Sequence, residues 1–468
     1  MPTTTIPTTT IPTTTTSSTT ILSALEERLD QPTARGLAHA VSHAIRDGLL
    51  APGTRLPPIR EIATQLALSP TTVSAGWALL ARSGAIRTDG RRGTTVADQA
   101  GPSNTRYRRA LEGQTGYSLD LSTGVPDASL LPNLSSALGH LTTAGTPASY
   151  LDEAVLPGLR ALLLDEWPYA TTDLTVVDGA MDALDLVVRT TVRLGDRVVV
   201  EHPCFPPLLD LLDSVGADVV GVPLDSEGMV PSALAAALAS PAAAVILQPT
   251  AQNPSGISTT PRRARVLAGL IDRAGTLVIE DDSAGAIASA PAISLGRWIP
   301  DRTVHVRSFS KSHGPDLRLA AVSGPAGLMH DVLARRQLGQ GWSSRLLQRI
   351  LLSLLTDEGS RAEVHHAQRE YARRRAALVD ALAQRRIEVG GTDGINIWVP
   401  VRDEAAALVR LASHGIGVTP GSPFAVLPDM PCHIRVTCGL VGKDVDLAVL
   451  ADQLAAAANT SGWTGRGR

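Results

Sequence analysis

Between Asp30 and Asp98, apolar residues recur at helical spacing in three successive stretches, which predicts three short helices. The turn Pro52-Gly53 closes the first stretch, and Ser69-Pro70 opens the third with a capping hydroxyl and a proline at the first helical position. Branched residues on either side of a charged turn at 89–93 then predict a short hairpin. The apolar positions are Leu37, Val41, Ala44, Ile45 and Leu49; Ile59, Ile62, Ala63 and Leu66; and Val73, Trp77 and Leu80.

This order of elements describes a winged helix-turn-helix, in which the third helix enters the major groove of DNA and the hairpin follows the phosphates. The third helix leaves Thr71, Thr72 and Ser74 on its outer face, near its amino end. Residues 30–98 contain eight arginines and five acids, whereas the whole chain has a net charge of −3. The alternative is a small helical bundle with an ordinary polar surface.

Beyond residue 118 the pattern changes to short branched apolar runs that alternate with helical stretches. Such alternation predicts a mostly parallel sheet covered by helices on both faces. Residues 99–118 lack apolar periodicity and are interpreted as a linker, residues 1–29 as a disordered Thr/Pro-rich tail, and residues 461–468 as a second tail. The predicted domains are therefore 30–98 and 119–460.

Ligands of parallel sheets bind beyond the carboxyl ends of the strands, and polar residues gather at those positions. Asp281 ends the run Val278-Ile279-Glu280, and Asn253 follows the run that ends at Leu247. Lys311 lies between hydroxyl residues after the run Val304–Val306, where desolvation would make it nucleophilic, and Arg318 could bind phosphate. These residues suit a Schiff base to a phosphorylated aldehyde. The alternative is a solvated loop with two ordinary cations.

Composition limits the alternatives. At 468 residues the chain is long enough for two or more domains, and 44% hydrophobic with 19% charged residues is typical of a globular protein. Three cysteines without a CxxC pair indicate a reducing compartment and exclude a disulfide framework or a cysteine-based zinc site. No apolar run reaches membrane-spanning length, and the first twenty residues do not have the pattern of a signal peptide.

The segment Gly36–Val96, with its DGLLAPGTRLPPIREIATQLALSPTTVS core and GRRGTTV hairpin, resembles the DNA-binding domain of the GntR family of bacterial regulators. The resemblance implies that Arg60 contacts phosphate or a base edge, and that the wing carries two arginines. The residues implied to face DNA are Arg60, Ser69, Thr71, Thr72, Ser74, Arg91 and Arg92. Pro70 and Ser74 stand where many relatives have arginine, so the sequence preference is expected to differ.

From Leu119 to Asn459 the chain resembles a fold-type I aminotransferase dependent on pyridoxal 5'-phosphate, and the fusion as a whole resembles the MocR subfamily of regulators. The motifs LSTGVPDASLLP, EHPCF, QNPSG, VIEDD and SFSKSHGPDLRL carry this resemblance. It implies a Schiff base on Lys311, a contact of Asp281 with the pyridine nitrogen, and binding of a substrate carboxylate by Arg435. It further implies cofactor contacts from Asn253 to the ring hydroxyl, from Phe205 to the ring face, and from Ala180, Met181, Ser308, Arg318 and Tyr150 to the phosphate.

Two departures from this pattern are notable. Ser283 stands where relatives have a tyrosine that donates to the ring hydroxyl, so Asn253 is expected to be the sole donor. Val155 stands near a glycine that usually follows the Tyr150 motif, which leaves the dimer contact there open.

The favoured function is transcription regulation in the cytoplasm by a homodimer that binds operator DNA and senses an amine or amino acid through Lys311. Pyridoxal phosphate itself could be the signal instead. The alternative is an active aminotransferase with a secondary DNA-binding head, because retention of Lys311, Asp281, Asn253 and Arg435 permits turnover. No metal is expected.

Overall fold

The computed structural model describes residues 18–82, 85–89, 93–97, 106, 116–141 and 153–461. The chain divides into two compact units, the first formed mainly by residues up to 103 and the second mainly by residues from 104 onward. In the described residues, no helix combines the length and apolar character needed to cross a membrane.

The described residues of the N-terminal unit form four helices and a hairpin. The hairpin pairs antiparallel, with Ile86 opposite Val96. Val73, Trp77 and Leu80 of the fourth helix are buried, as the spacing predicts. The elements are α1 (Ser18–Glu26), α2 (Ala34–Arg46), α3 (Ile59–Gln65), α4 (Pro70–Arg82), β1 (Ile86–Asp89) and β2 (Gly93–Val96).

Two expectations for this unit are wrong in part. Leu49 is 45% exposed, because α2 ends at Arg46 and Gly48, with φ +76°, turns the chain away from the helix axis. The supposed tail 1–29 contains α1, whose Ile21, Leu22 and Leu25 are buried in the core of the unit. A helix of nine residues is marginal in water alone, so tertiary packing stabilises it.

Residues 1–17, most of the predicted linker 99–118, and residues 462–468 lie outside the described residues. The predictions of a tail and a linker there stay predictions.

The C-terminal unit is built on an eight-stranded sheet. Along the sheet the strand order is β4-β11-β10-β9-β8-β5-β6-β7, with β10, β9, β8, β5 and β6 parallel. Strands β4 and β11 pair antiparallel at one edge, as β6 and β7 do at the other. The strands are β4 (Leu174–Val177), β5 (Arg197–His202), β6 (Asp218–Asp225), β7 (Gly228–Met229), β8 (Ala244–Leu247), β9 (Leu277–Asp282), β10 (Thr303–Ser308) and β11 (Ala320–Ser323).

Its central strands are buried at almost every position, and β8 is apolar throughout, which is what a sheet covered on both faces requires. Helices precede and connect the strands: α5 (Ser135–Leu141), α6 (Pro157–Asp165), α7 (Ala180–Thr191), α8 (Pro206–Ser214), α9 (Pro231–Ala237), α10 (Pro261–Ala274), α11 (Ala326–Gln337), α12 (Arg345–Thr356) and α13 (Glu358–Ala383).

Residues toward the carboxyl end of the chain form a second, smaller sheet in this unit. This three-stranded antiparallel sheet has the order β12-β15-β14, and the short strand β13 pairs in parallel with β3 near the start of the unit. The elements are β3 (Leu119–Asp120), β12 (Ile397–Pro400), α14 (Glu404–Ser413), β13 (Ile416–Gly417), β14 (Thr419–Pro420), β15 (His433–Val436) and α15 (Leu447–Asn459).

Candidate functional site

The first candidate surface lies at the amino end of α4. The Ser69 hydroxyl accepts the backbone N–H of Thr72 at 3.0 Å and lies 2.7 Å from both the Thr71 and Thr72 hydroxyls. Ser69 therefore caps the helix, which fixes its first turn. Ser74 and, on α3, Arg60 are exposed. The predicted wing arginines Arg91 and Arg92 lie outside the described residues.

The second candidate site surrounds Lys311, which follows β10. Its Nζ donates a hydrogen bond of 2.6 Å to the backbone oxygen of Gly124, near the start of the same unit. Burial and, to a smaller extent, the guanidinium of Arg435 lower the pKa of Lys311 to about 8, against the opposing effect of the Asp281 carboxylate. A neutral amine is the nucleophilic form of lysine, so this environment favours reaction with a carbonyl group.

Asp281 ends β9 as a buried carboxyl group that is only 2% exposed. One oxygen accepts a hydrogen bond of 2.7 Å from the side-chain amide of Gln248, and the other accepts one of 2.5 Å from the Ser283 hydroxyl. Burial raises the pKa of Asp281, and these two donors oppose that rise. The hydroxyl that replaces the expected tyrosine is thus directed at Asp281.

Arg435 on β15 is buried and lies close to Asn253. One Nη donates to Asn253 Oδ1 at 3.3 Å, and the other donates to Ser122 O and, at 3.0 Å, to Thr419 Oγ1. Gly124, with φ +64°, adjoins the guanidinium closely enough that an added Cβ would lie 3.3 Å from it. The acceptor role of Asn253 Oδ1 leaves the amide nitrogen of that side chain as its donor.

A cradle of donors, formed by Arg318 and the amino end of α7, lies after β4. Gly179, with φ +105°, precedes α7, whose first two residues are Ala180 and Met181. Arg318 donates to the backbone oxygen of Asp178 at 3.1 Å, and its guanidinium is 3.0 Å from where a Cβ on Gly179 would lie. Arginine beside the amino end of a helix is an arrangement that binds phosphate.

Ser308, at the end of β10, contributes a hydroxyl 2.9 Å from that of Ser310. Phe205 is half-buried between β5 and α8, at the carboxyl end of β5. Tyr150 lies outside the described residues. The structure therefore assembles most of the predicted site residues at the carboxyl edge of one parallel sheet.

Hydrogen bonds run from Arg435 through Asn253 and Gln248 to Asp281, and Lys311 donates to Gly124, where an added Cβ would lie 3.3 Å from the Arg435 guanidinium. Gln248 and Gly124 are participants that the motif reading missed. The sequence places Gln248 directly after the apolar run of β8, the position from which a parallel strand delivers site residues, but the motifs assign it no role.

These residues fit pyridoxal phosphate. A partly neutral lysine suits its aldehyde, a buried carboxyl group suits the ring nitrogen, an amide donor suits the ring hydroxyl, and the cradle at Arg318 suits the phosphate. No group of histidine, cysteine and acidic residues suited to a metal ion occurs among the described residues.

Comparison with known proteins supports this assignment. The profile of the bacterial regulatory proteins of the gntR family matches residues 33–96, and that of aminotransferase class I and II matches residues 118–454. The chain is 34% identical over 440 residues to the vitamin B6 salvage pathway transcriptional repressor PtsJ of Salmonella typhimurium, covering 92% of this chain and 100% of the relative. It is 27% identical to the HTH-type pyridoxine biosynthesis transcriptional regulator PdxR of Corynebacterium glutamicum, covering 82% and 86%.

Among solved structures, kynurenine aminotransferase of Pyrococcus horikoshii matches with a TM-score of 0.70 and 22% identity, covering 76% of this chain and 94% of that one. An archaeal alanine:glyoxylate aminotransferase matches with a TM-score of 0.69 and 21% identity, covering 76% and 96%. At such identities the likeness shows the fold. Together the matches confirm the fold class predicted for both units.

Proposed function

The chain belongs to the MocR-type regulators, in which a gntR-family DNA-binding domain precedes an aminotransferase class I and II domain, and we propose that it regulates transcription according to the occupancy of its Lys311 site by pyridoxal phosphate. The observation that carries the proposal is the site around Lys311 in a chain that also presents a capped, exposed helix to DNA. As a DNA-binding regulator it is expected to act in the cytoplasm.

Bound pyridoxal phosphate supplies an aldehyde that a primary amine can attack and a ring that withdraws electrons. Lys311 provides the amine. With the pKa of Lys311 at about 8 instead of 10.5, its side chain is neutral in roughly a tenth of the molecules at pH 7, a fraction about 300-fold larger than for an ordinary lysine. Asp281 would hold the ring nitrogen, Asn253 the ring hydroxyl, and Arg318 with the amino end of α7 the phosphate.

Two observations favour the cofactor itself as the signal. The relatives PtsJ and PdxR are named for vitamin B6 salvage and pyridoxine biosynthesis. In addition, one Nη of Arg435 already donates to both Ser122 O and Thr419 Oγ1, so a ligand carboxylate that binds both Nη atoms would have to compete with these acceptors. A signal without an α-carboxylate avoids this competition.

An amine or amino acid remains the second candidate signal, because Arg435 is buried beside Asn253 where a carboxylate could replace these partners. In either case the ligand has to bind two conformations unequally in order to change DNA affinity. A homodimer, in which two DNA-binding units meet two half-sites, is the assembly that we propose.

The chain offers a clean chemical test, because Lys311 and the exposed Lys443 are its only lysines. Pyridoxal phosphate followed by borohydride should add mass to the peptide that contains Lys311 in the wild type and in Lys443→Ala, but not in Lys311→Ala. Equal labelling of Lys443, or none at Lys311, would contradict the assignment.

Regulation is tested separately with a gel shift on the intergenic DNA upstream of the gene. Pyridoxal phosphate should change the DNA affinity of the wild type and leave that of Lys311→Ala unchanged. A response that requires an added amino acid would favour the second signal. Multiple-turnover release of keto acid without a specific shift would favour an active aminotransferase instead.

A further inference from the structure

Behind the cofactor residues lies a buried acid to which no motif assigns a role. Glu201, near the end of β5, is 4% exposed, and its Oε2 accepts the backbone N–H of Gln248 at 3.0 Å. The side chain of Gln252 also donates a hydrogen bond to it. Burial raises the pKa of Glu201 to about 8, and the nearby Asp281 carboxylate contributes to the rise. The imidazole of His202 and the buried thiol of Cys204 are further titratable groups at this strand end.

Gln248 connects this acid to two residues of the cofactor site. Its side-chain nitrogen donates to Asp281 Oδ2 at 2.7 Å, and its side-chain oxygen accepts the backbone N–H of Asn253 at 2.8 Å. The side-chain amide of Gln248 therefore positions both Asp281, which would contact the ring nitrogen, and Asn253, which would contact the ring hydroxyl. The backbone of Gln248 is in turn held by Glu201.

We propose that Glu201 is a positioning residue which, by holding Gln248, fixes Asp281 and Asn253 at the separation that a pyridine ring requires. A buried donor that loses its acceptor is costly, and Gln248 would relieve the loss by moving. The side-chain amide would then leave Asp281, Asn253, or both. This inference rests on the proposed cofactor binding and adds Glu201 and Gln248 to the residues on which it depends.

The test measures the dissociation constant of pyridoxal phosphate by absorbance titration of full-length protein. Glu201→Ala removes the acceptor and should weaken binding about tenfold or more, with a shifted absorbance maximum of the bound cofactor. Glu201→Gln keeps a side-chain oxygen for the Gln248 N–H and should stay within about threefold of the wild type. Glu388→Gln, the same change at an exposed site, is the matched control and should change nothing.

A double-mutant cycle separates positioning from a general loss of structure. If Glu201 acts through the Gln248 side chain, Glu201→Ala should add little to the defect of Gln248→Ala, so the two effects should be strongly non-additive. Additive effects, or wild-type affinity and absorbance in Glu201→Ala, would overturn the proposal. A Glu201→Gln variant as defective as Glu201→Ala would overturn it as well. Wild-type protein that fails to bind pyridoxal phosphate would instead refute the proposed function.

Discussion

Replacement of Leu25 by alanine tests whether α1 is part of the DNA-binding unit. Leu25 is fully buried and packs with Ile21 and Leu22 of the same helix into the core that α2 also contributes to. Truncation of a buried leucine to alanine costs about 2–5 kcal/mol, because transfer free energy is lost and a cavity remains. The ion pair of Arg28 with Asp47, at 3.2 Å, is partly exposed and adds at most about 1 kcal/mol to the docking of this segment.

A loss of about 3 kcal/mol is a large share of the stability of a domain of this size. The described part of the unit spans residues 18–97, and for domains of 60–100 residues each kcal/mol shifts the melting temperature by about 4–8 °C. We therefore expect Leu25→Ala to lower the melting temperature of the N-terminal unit by roughly 12–24 °C. The C-terminal unit should melt unchanged.

Differential scanning calorimetry of the full-length protein measures both transitions together. Leu49→Ala, also in the N-terminal unit but at a position that is 45% exposed, is the matched control and should shift neither transition by more than a few degrees. Amide hydrogen exchange in α2 should accelerate in Leu25→Ala alone. If Leu25→Ala behaves like Leu49→Ala, α1 does not stabilise the unit and residues 18–26 act as the tail that the sequence predicted.

Three further predictions concern a buried acid, a helix cap and a glycine with a positive φ. The contribution of Glu201 to the stability of the C-terminal unit should fall as pH rises from about 4.5 to about 8, because the native protein keeps a proton on Glu201 that the unfolded chain releases. The difference in melting temperature between Glu201→Gln and the wild type should therefore change over this pH range, and parallel pH profiles would contradict this prediction. Ser69→Ala should lower the free energy of unfolding of the N-terminal unit by about 1 kcal/mol and weaken DNA binding, because the helix cap is lost. Ser74→Ala should leave the melting temperature unchanged, and equal melting temperatures of the two variants would exclude a capping role for Ser69. Gly124→Ala should destabilise the C-terminal unit by about 1–2 kcal/mol, because the position has a positive φ that alanine adopts at a cost. Gly327→Ala, in the first turn of α11 where a Cβ has open space, should not destabilise it, and equal free energies of unfolding for the two variants would refute the prediction.

Local sequence patterns predicted the elements on which both sites are built. Val73, Trp77 and Leu80 predicted the buried face of α4, and the branched runs before Asp281 and Lys311 predicted strands β9 and β10. These predictions succeeded because spacing along one element decides which of its side chains face a core. The same reasoning extended the first helix to Leu49, where the turn at Gly48 ends it.

Helix α1 is an element that the sequence of its own segment does not predict. Ile21, Leu22 and Leu25 follow a Thr/Pro-rich run and belong to a helix of only nine residues. Three apolar positions in so short a segment do not distinguish a helix from a disordered tail. Packing against α2 supplies the stabilisation that the segment lacks on its own. That contribution depends on a partner surface and is absent from the segment's own sequence.

The amino-acid sequence alone determined the two-domain plan, the parallel sheet and the residue types at its strand ends, since these follow from periodicity and from motifs within short segments. Only the tertiary structure decided that Gln248 lies against both Asp281 and Asn253 and that Glu201 accepts a hydrogen bond from the Gln248 backbone. Gln248 lies 33 residues from Asp281 and 47 from Glu201 along the chain. Such contacts are set by strand order, β9-β8-β5, and strand order results from the packing of the whole sheet.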